Sequence, residues 1–323
     1  MSILKSRRFF PLFLTQFLGA FNDNLFKTAM VMLITFRIAT ETSISSPILT
    51  TMAAGVFILP FFLFSATAGQ LADKMDRARI AQYVKLAEIV FMLLAAVGFL
   101  THSLFLLYVV LFCMGMHSAF FGPVKYAVLP QHLEGRELLS GNAYVEAGTF
   151  MAILLGTIAG GVLIAHQQLG EIIISVACVS VAACGYLASR FIPTAPGPSP
   201  NLVINRNFWE ETLKIMKATQ ENTGVYRAIL AISWFWLVGA TYLTQFPAFA
   251  KIYLGGDESV VTLLLTLFSV GIAAGSVLCS KLLKGQVQAT WLTCSQSRCA
   301  AACSSCRSTP SCKNAPTPIT WHA

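Results

Sequence analysis

Phe21-Asn22-Asp23-Asn24-Leu25-Phe26-Lys27 lies inside an apolar run that extends from Phe9 to Ile38. It places a carboxylate and an ammonium where a membrane-crossing segment would carry hydrocarbon. Ionisable groups at that depth cost roughly 3 kcal/mol or more, so they persist where they pair, line a wet cavity or handle a polar substrate. Asp23 and Lys27 are four residues apart, on one helical face, with the acid N-terminal to the base, the favoured order for an ion pair. The spacing predicts one polar stripe, an Asp23–Lys27 pair turned toward other helices.

The rest of the chain has the composition to match. Hydrophobic residues make up 56% and charged residues 11%, against roughly 25% charged in soluble domains. Mean hydropathy is +0.69. These values specify an all-α integral membrane protein. A hydrocarbon core of about 30 Å takes roughly 20 helical residues to cross. Runs of that length fall at 9–38, 47–72, 80–101, 103–130, 140–165, 171–192, 225–250 and 259–283. Pro60, Pro123 and Pro130 are expected kinks or ends.

A net charge of +8 could suggest a nucleic-acid partner, but the bases are distributed as topology signals. Lys5, Arg7 and Arg8 precede the first run. Lys74, Arg77 and Arg79 follow the second, and Arg136 follows the fourth. Arg190, Arg206, Lys214, Lys217 and Arg227 surround the connection from sixth to seventh, and Lys281 and Lys284 close the eighth. The alternate loops 39–46, 101–103 and 166–170 contain no Lys or Arg, and Lys251 is the only base in the loop after run seven. The positive-inside rule then puts the N-terminus in the cytoplasm. The first run is too long, and too polar at Asp23 and Lys27, for a cleaved signal peptide.

Four parts are expected along the chain. Residues 1–192 form a six-helix bundle, 193–224 a cytoplasmic linker, 225–289 two helices of a partial second bundle, and 290–323 a Cys/Ser-rich tail. The linker begins Pro193-Thr-Ala-Pro196-Gly-Pro198-Ser-Pro200, too rich in proline for helix. It continues into 207–217, where Phe208, Trp209, Leu213 and Met216 oppose Glu210, Glu211, Lys214 and Lys217, a pattern suited to lying along an interface. The tail holds Cys294, Cys299, Cys303, Cys306 and Cys312 and loses all hydrophobic periodicity. Cys303-Ser-Ser-Cys306 has ligand-like spacing but no matching second pair. A disordered or out-of-frame segment is the expectation, with no metal and no cofactor.

Gly69-Gln70-Leu71-Ala72-Asp73-Lys74-Met75-Asp76-Arg77-Ala78-Arg79 connects runs two and three. It resembles the loop signature of the major facilitator superfamily. Gly69 would permit close helix approach, Asp73 would bond a base or backbone donors, and Arg77 and Arg79 would tie neighbouring helices. Asp76 stands where the family usually has glycine, and Ala78 where it often has a base. Three more segments narrow the resemblance: Gln16 to Asn24, Phe121-Gly122-Pro123-Val124-Lys125-Tyr126-Ala127-Val128-Leu129-Pro130, and Leu139-Ser140-Gly141-Asn142-Ala143-Tyr144-Val145-Glu146-Ala147-Gly148-Thr149. Together they resemble the lysophospholipid transporter family of bacterial inner membranes over about residues 8–288. The likeness is greatest to its version fused to acyltransferase and acyl-carrier-protein synthetase domains.

That resemblance implies a major-facilitator-type helical bundle with about eight of twelve spans present. It also implies inward flipping of lysophospholipids such as lysophosphatidylethanolamine, with a cytoplasmic acyltransferase or acyl-carrier-protein synthetase as partner. The interior ionisables are Asp23, Lys27, Lys85, Glu88, Lys125 and Glu146, whose charges cancel. Lys27 or Lys125 could bind a phosphate as a point charge, and Asp23 or Glu146 could accept an ammonium. Asn22, Asn24 and Tyr126 complete the expected binding set; Gly69, Asp73, Arg77 and Arg79 form the gating loop. Lys85 and Glu88, three apart, read as a structural pair, and Lys125 and Glu146 as groups that meet across runs four and five.

His117 reads as a satisfied interior histidine, and Cys113, Cys178, Cys184 and Cys279 as buried small apolar residues. Gly156, Gly160 and Gly161, with Gly271 and Gly275, suit helix packing. Trp234, Trp236 and Tyr242 suit either interface anchors or pocket lining. Acyltransferases of the fused type use His and Asp separated by four residues, whereas His132 and His166 are followed at that distance by Glu137 and Glu171. No phosphate loop or nucleophile elbow occurs, so no enzyme activity is expected. A proton-driven transporter of a small soluble solute and a nonfunctional fragment are the alternatives to a lipid flippase.

Overall fold

The computed structural model describes residues 3–37, 45–166, 168–205 and 207–282. After a short 3-10 helix at Ile3–Lys5 come α1 (Phe10–Phe36), α2 (Ser46–Lys74), α3 (Arg77–Leu100), α4 (Leu104–His132), α5 (Gly135–Ile164), α6 (Gly170–Ser189), α7 (Phe208–Glu221), α8 (Thr223–Tyr253) and α9 (Glu258–Leu282). Met1–Gly271 form one compact unit; Ile272–Ala323 form a second, whose described part is the end of α9. The Cys-rich tail predicted at 290–323 lies outside the described residues.

Each run predicted to cross the membrane is a helix, with ends displaced by five residues or fewer. Among the described residues, six helices are long and apolar enough to span a bilayer: α2 to α6 and α8. In α1, mid-helix Asn22, Asp23, Asn24 and Lys27 lower the mean hydropathy of an otherwise apolar 27-residue helix. None of the prolines expected at kinks or ends terminates its helix. Pro60 lies inside α2, and Pro123 and Pro130 inside α4. Neighbouring helices can satisfy a backbone that proline has freed; Gly115 of α4 packs directly against the Phe57 carbonyl and the Pro60 ring.

Helix starts follow local chemistry. Asp76 accepts from the Ala78 amide at 2.8 Å, and Glu134 and Glu137 close a reciprocal capping box on α5, each satisfying amides that a helix N-terminus leaves free. In α7, Asn207 accepts from the Glu210 amide at 3.4 Å. Lys214 Nζ bonds Glu210 Oε1 at 2.8 Å and holds that carboxyl below its usual range. Trp209 meets Phe62 of α2 edge-on, with 5.3 Å between ring centroids. The amphipathic pattern read from 207–217 is therefore one helix, its Trp209 set against α2.

The strongest helix pairings in the bundle are α1 with α5, α2 with α4, α3 with α6, α3 with α4, and α1 with α6. Exchanging α1–α3 for α4–α6 leaves this set unchanged, the symmetry of a repeat of three helices. Small residues let the paired backbones close. At Gly156 a Cβ would strike the Phe21 carbonyl of α1, and at Gly160 the Leu25 carbonyl. Gly161 faces Thr262 of α9, whereas no described atom lies near a Cβ placed on Gly271. Gly160→Ile is expected to lower stability by about 1–3 kcal/mol through overpacking, measured as a fall in the thermal unfolding midpoint in detergent. An unchanged midpoint would show that the α1–α5 seam yields freely.

Two apolar cores fill the bundle, one around Phe26, Met30, Met92, Phe99 and Leu107, the other around Phe9, Leu12, Val124, Val128 and Val145. Between them sits polar chemistry. Of the predicted buried cysteines, Cys178 is buried, Cys113 is intermediate and Cys184 is exposed. Exposure of Cys184 is tolerable because a thiol behaves as a small apolar group against lipid. Trp234, Trp236 and Tyr242 of α8 are all more than half exposed.

Candidate functional site

The polar stripe expected on α1 divides among four neighbours, because successive helical residues turn by about 100°. Asn22 is fully buried and donates from Nδ2 to Glu88 Oε1 of α3 at 2.7 Å. Asp23 accepts through Oδ2 from Ser118 Oγ of α4 at 2.7 Å. Asn24 bonds its own helix at the Ala20 carbonyl, 2.7 Å away, and its Cβ backs onto Gly156 of α5. Lys27 Nζ lies 4.2 Å above the Phe57 ring of α2. The expected Asp23–Lys27 ion pair is therefore not formed: each charge has found a partner on a different helix.

Asn22, expected in the binding set, lies fully buried within an interior network. In that network Lys85 Nζ donates to Glu88 Oε2 at 2.6 Å, with side-chain exposures of 0% and 1%. His117 Nε2 of α4 stands 3.1 Å from the same oxygen, off the hydrogen-bonding direction, and its Nδ1 has no partner among the described residues. His117 is thus less completely satisfied than expected. Two glycines make room for the lysine. A Cβ on Gly19 of α1 would strike Lys85 Nζ, and one on Gly185 of α6 would touch Lys85 Cδ at 3.6 Å. Lys85 and Glu88 are the structural pair that their spacing predicted, but Asn22 and His117 join them from other helices. The only sequence signal for that was the need of a mid-membrane acid for donors.

A second polar group lies between α4 and α5. Tyr126 donates its hydroxyl to Glu146, and Lys125 Nζ lies 4.7 Å from the Tyr126 ring centroid. The direct Lys125–Glu146 ion pair anticipated from the sequence is absent among the described residues; the tyrosine stands in for it. Ser118 and Lys125 are seven residues apart, on one face of α4 and separated by about 10 Å of helix rise. The Asp23–Ser118 pair and the Lys125–Tyr126–Glu146 group thus follow one another along that helix. Glu146 and Tyr126 are exposed, while Asp23 and Lys27 are half-buried.

Gln16 of α1 donates to the Val145 carbonyl at 3.0 Å and accepts from Thr149 at 3.1 Å. This clamp, which the sequence reading missed, ties α1 to α5. At the far end of α1, Arg37 bonds Glu171 of α6, with His102 3.4 Å from the same carboxylate. Both lie outside the predicted set.

At the α2–α3 loop, Arg77 is 7% exposed. It donates to the Ala72 carbonyl at 3.0 Å, to the Ala127 carbonyl of α4 at 3.2 Å, and to Asp73 at 3.4 Å. Two of the gating-loop expectations are not met. Arg79 is exposed and makes no ion pair among the described residues, and no described atom approaches the open face of Gly69. Instead the proline-rich segment docks here. Its Ala195 carbonyl accepts from the Arg77 amide at 2.8 Å and its Ala195 amide donates to Asp76 at 3.1 Å. Ser199 N donates to the Asp73 carbonyl at 2.9 Å. A Cβ at Gly197 would collide with the Asp73 and Met75 carbonyls.

The Major Facilitator Superfamily model matches residues 12–306. The chain belongs to the Major Facilitator Superfamily. It is similar to the lysophospholipid transporter LplT of Serratia proteamaculans (strain 568), 27% identical over 85% of this chain and 66% of that protein. It is also similar to the LplT proteins of Shigella boydii serotype 4 and Escherichia coli O1:K1, each 29% identical over 83% of this chain and 64% of the relative. The chain therefore spans about two thirds of the length of the relatives it matches. These relatives are named as transporters; the spanning helices and the family make this chain a multi-pass membrane protein.

Proposed function

We propose that this chain acts in moving lysophospholipids, such as lysophosphatidylethanolamine, inward across a bacterial inner membrane by alternating access. Its N-terminus is cytoplasmic in this reading, and residues 1–192 supply one wall of the path. The likeness to lysophospholipid transporters over 83–86% of the chain carries the reading. The polar groups of α1, α4 and α5 support it, because a zwitterionic headgroup needs both signs of charge in one apolar setting. Lys27 and Lys125 are assigned to the phosphate, and Asp23 and Glu146 to the ammonium, with Tyr126 holding Glu146 in place.

In the same reading Asn24 borders the path, and Asn22 orients α1 from behind. Asp73 and Arg77 hold the gate at the α2–α3 loop, and 193–224 is a linker leading to a second bundle from 225. A cytoplasmic acyltransferase or acyl-carrier-protein synthetase would consume the delivered lipid. The test is inward movement of fluorescent lysophosphatidylethanolamine in proteoliposomes that carry the chain. Saturable movement, competed by unlabelled lysophospholipid and unaffected by sugars or cationic drugs, is the expected result. Competition by the soluble solutes alone would replace the lipid with a small-solute substrate.

A further inference from the structure

A second lipid-facing feature lies away from these polar groups, at the end of the bundle where α1 begins and α6 finishes. A groove of about 310 Å³ there is lined by Lys5, Arg7, Phe10, Pro11, Leu14, Ala188 and Phe191. None of the lining side chains is acidic. Lys5 and Arg7 make no ion pair among the described residues, whereas Arg8 is turned away to Glu137 of α5 at 3.5 Å. Arg190 adds a third positive charge at the same end of α6. Phe10 and Phe191 are 46% and 65% exposed, so the groove opens outward.

Depth identifies the occupant. A helix of 27 residues is about 40 Å long and exceeds a hydrocarbon core of about 30 Å, so with α1 centred on that core its first turn stands in the headgroup layer. Lys5 and Arg7 are then level with lipid phosphates, and Phe10, Leu14 and Phe191 with the upper acyl chain. Basic pockets between transmembrane helices at this depth attract anionic headgroups. We infer that this groove binds one anionic diacyl phospholipid of the surrounding leaflet, its phosphate on Lys5 and Arg7 and one acyl chain in the α1–α6 crevice. The site is separate from the proposed transport path and does not depend on it.

Native mass spectrometry of the purified chain in detergent, titrated with dioleoyl phosphatidylglycerol, tests the inference. One tightly retained phosphatidylglycerol is expected. Dioleoyl phosphatidylethanolamine, lysophosphatidylethanolamine and glycerol 3-phosphate should be retained far less, because each lacks either the net charge or the paired chains. Lys5→Ala/Arg7→Ala should weaken retention roughly thirtyfold, at about 1 kcal/mol per base. Leu14→Trp, which fills the groove without changing charge, should weaken it as well, and Lys217→Ala on α7 should leave it unchanged. Equal retention of the zwitterionic lipid, equal retention by the double variant, or no retained lipid at all would overturn the assignment.

Discussion

Glu88→Ala is expected to leave almost no folded protein. It strips the partner from Lys85, whose side chain is 0% exposed, and breaking a buried pair from one side costs about 3–5 kcal/mol. The Asn22 amide loses its acceptor in the same step, at a further cost of about 1–3 kcal/mol. Lys85 cannot escape to solvent because its ammonium is enclosed between Gly19 and Gly185. Replacing both charges by apolar groups of similar volume removes the problem, since a buried ion pair is often no more stable than its hydrophobic equivalent. Lys85→Met/Glu88→Leu should therefore recover most of the lost monodisperse protein after detergent extraction. Size-exclusion yield and thermal unfolding midpoint give the comparison. A single variant as stable as the parent, or a double variant as poor as the single, would show that the pair does not hold the bundle together.

Asp23→Asn is expected to have the opposite profile, intact folding with transport lost. Asparagine matches aspartate in size and can still accept from Ser118, so the 2.7 Å contact between α1 and α4 survives. What disappears is the negative charge assigned to the substrate ammonium. Losing one member of a desolvated charge pair costs about 2–5 kcal/mol, so inward movement of labelled lysophosphatidylethanolamine should fall roughly thirtyfold or more. The rate is normalised to the amount of protein in the membrane. A normal rate would remove Asp23 from the mechanism while leaving the fold untouched.

The contrast between these residues marks how far the sequence could be read. Composition and run length located the helices because bilayer thickness alone sets how many apolar residues are required. The i,i+3 spacing of Lys85 and Glu88 revealed their pairing, since both ends lie on one helix. The same logic predicted an Asp23–Lys27 pair and failed. Spacing shows that two side chains share a face, but Ser118 and Phe57 reach that face from α4 and α2, and no local rule places them there. Asn22, His117 and the Gln16–Thr149 clamp were hidden for the same reason. The proline-rich segment was legible as non-helical. Its docking on Asp73, Asp76 and Arg77 was not, because it is made largely through backbone carbonyls and amides that every residue carries.

The pairing of α1–α3 with α4–α6 has a consequence for biosynthesis. Every strong helix interface joins one triplet to the other, so on entering the bilayer the first three helices have only narrow contacts among themselves, such as Asn22 with Glu88 and Lys27 with Phe57. Asp23 must wait for Ser118 on α4, and the α1 backbone for Gly156 and Gly160 on α5. The bundle's strong seams cannot begin to close until α4 arrives and cannot finish until α6 does. Until then, α1 carries Asp23 into the bilayer without the Ser118 hydroxyl that it accepts from in the closed bundle.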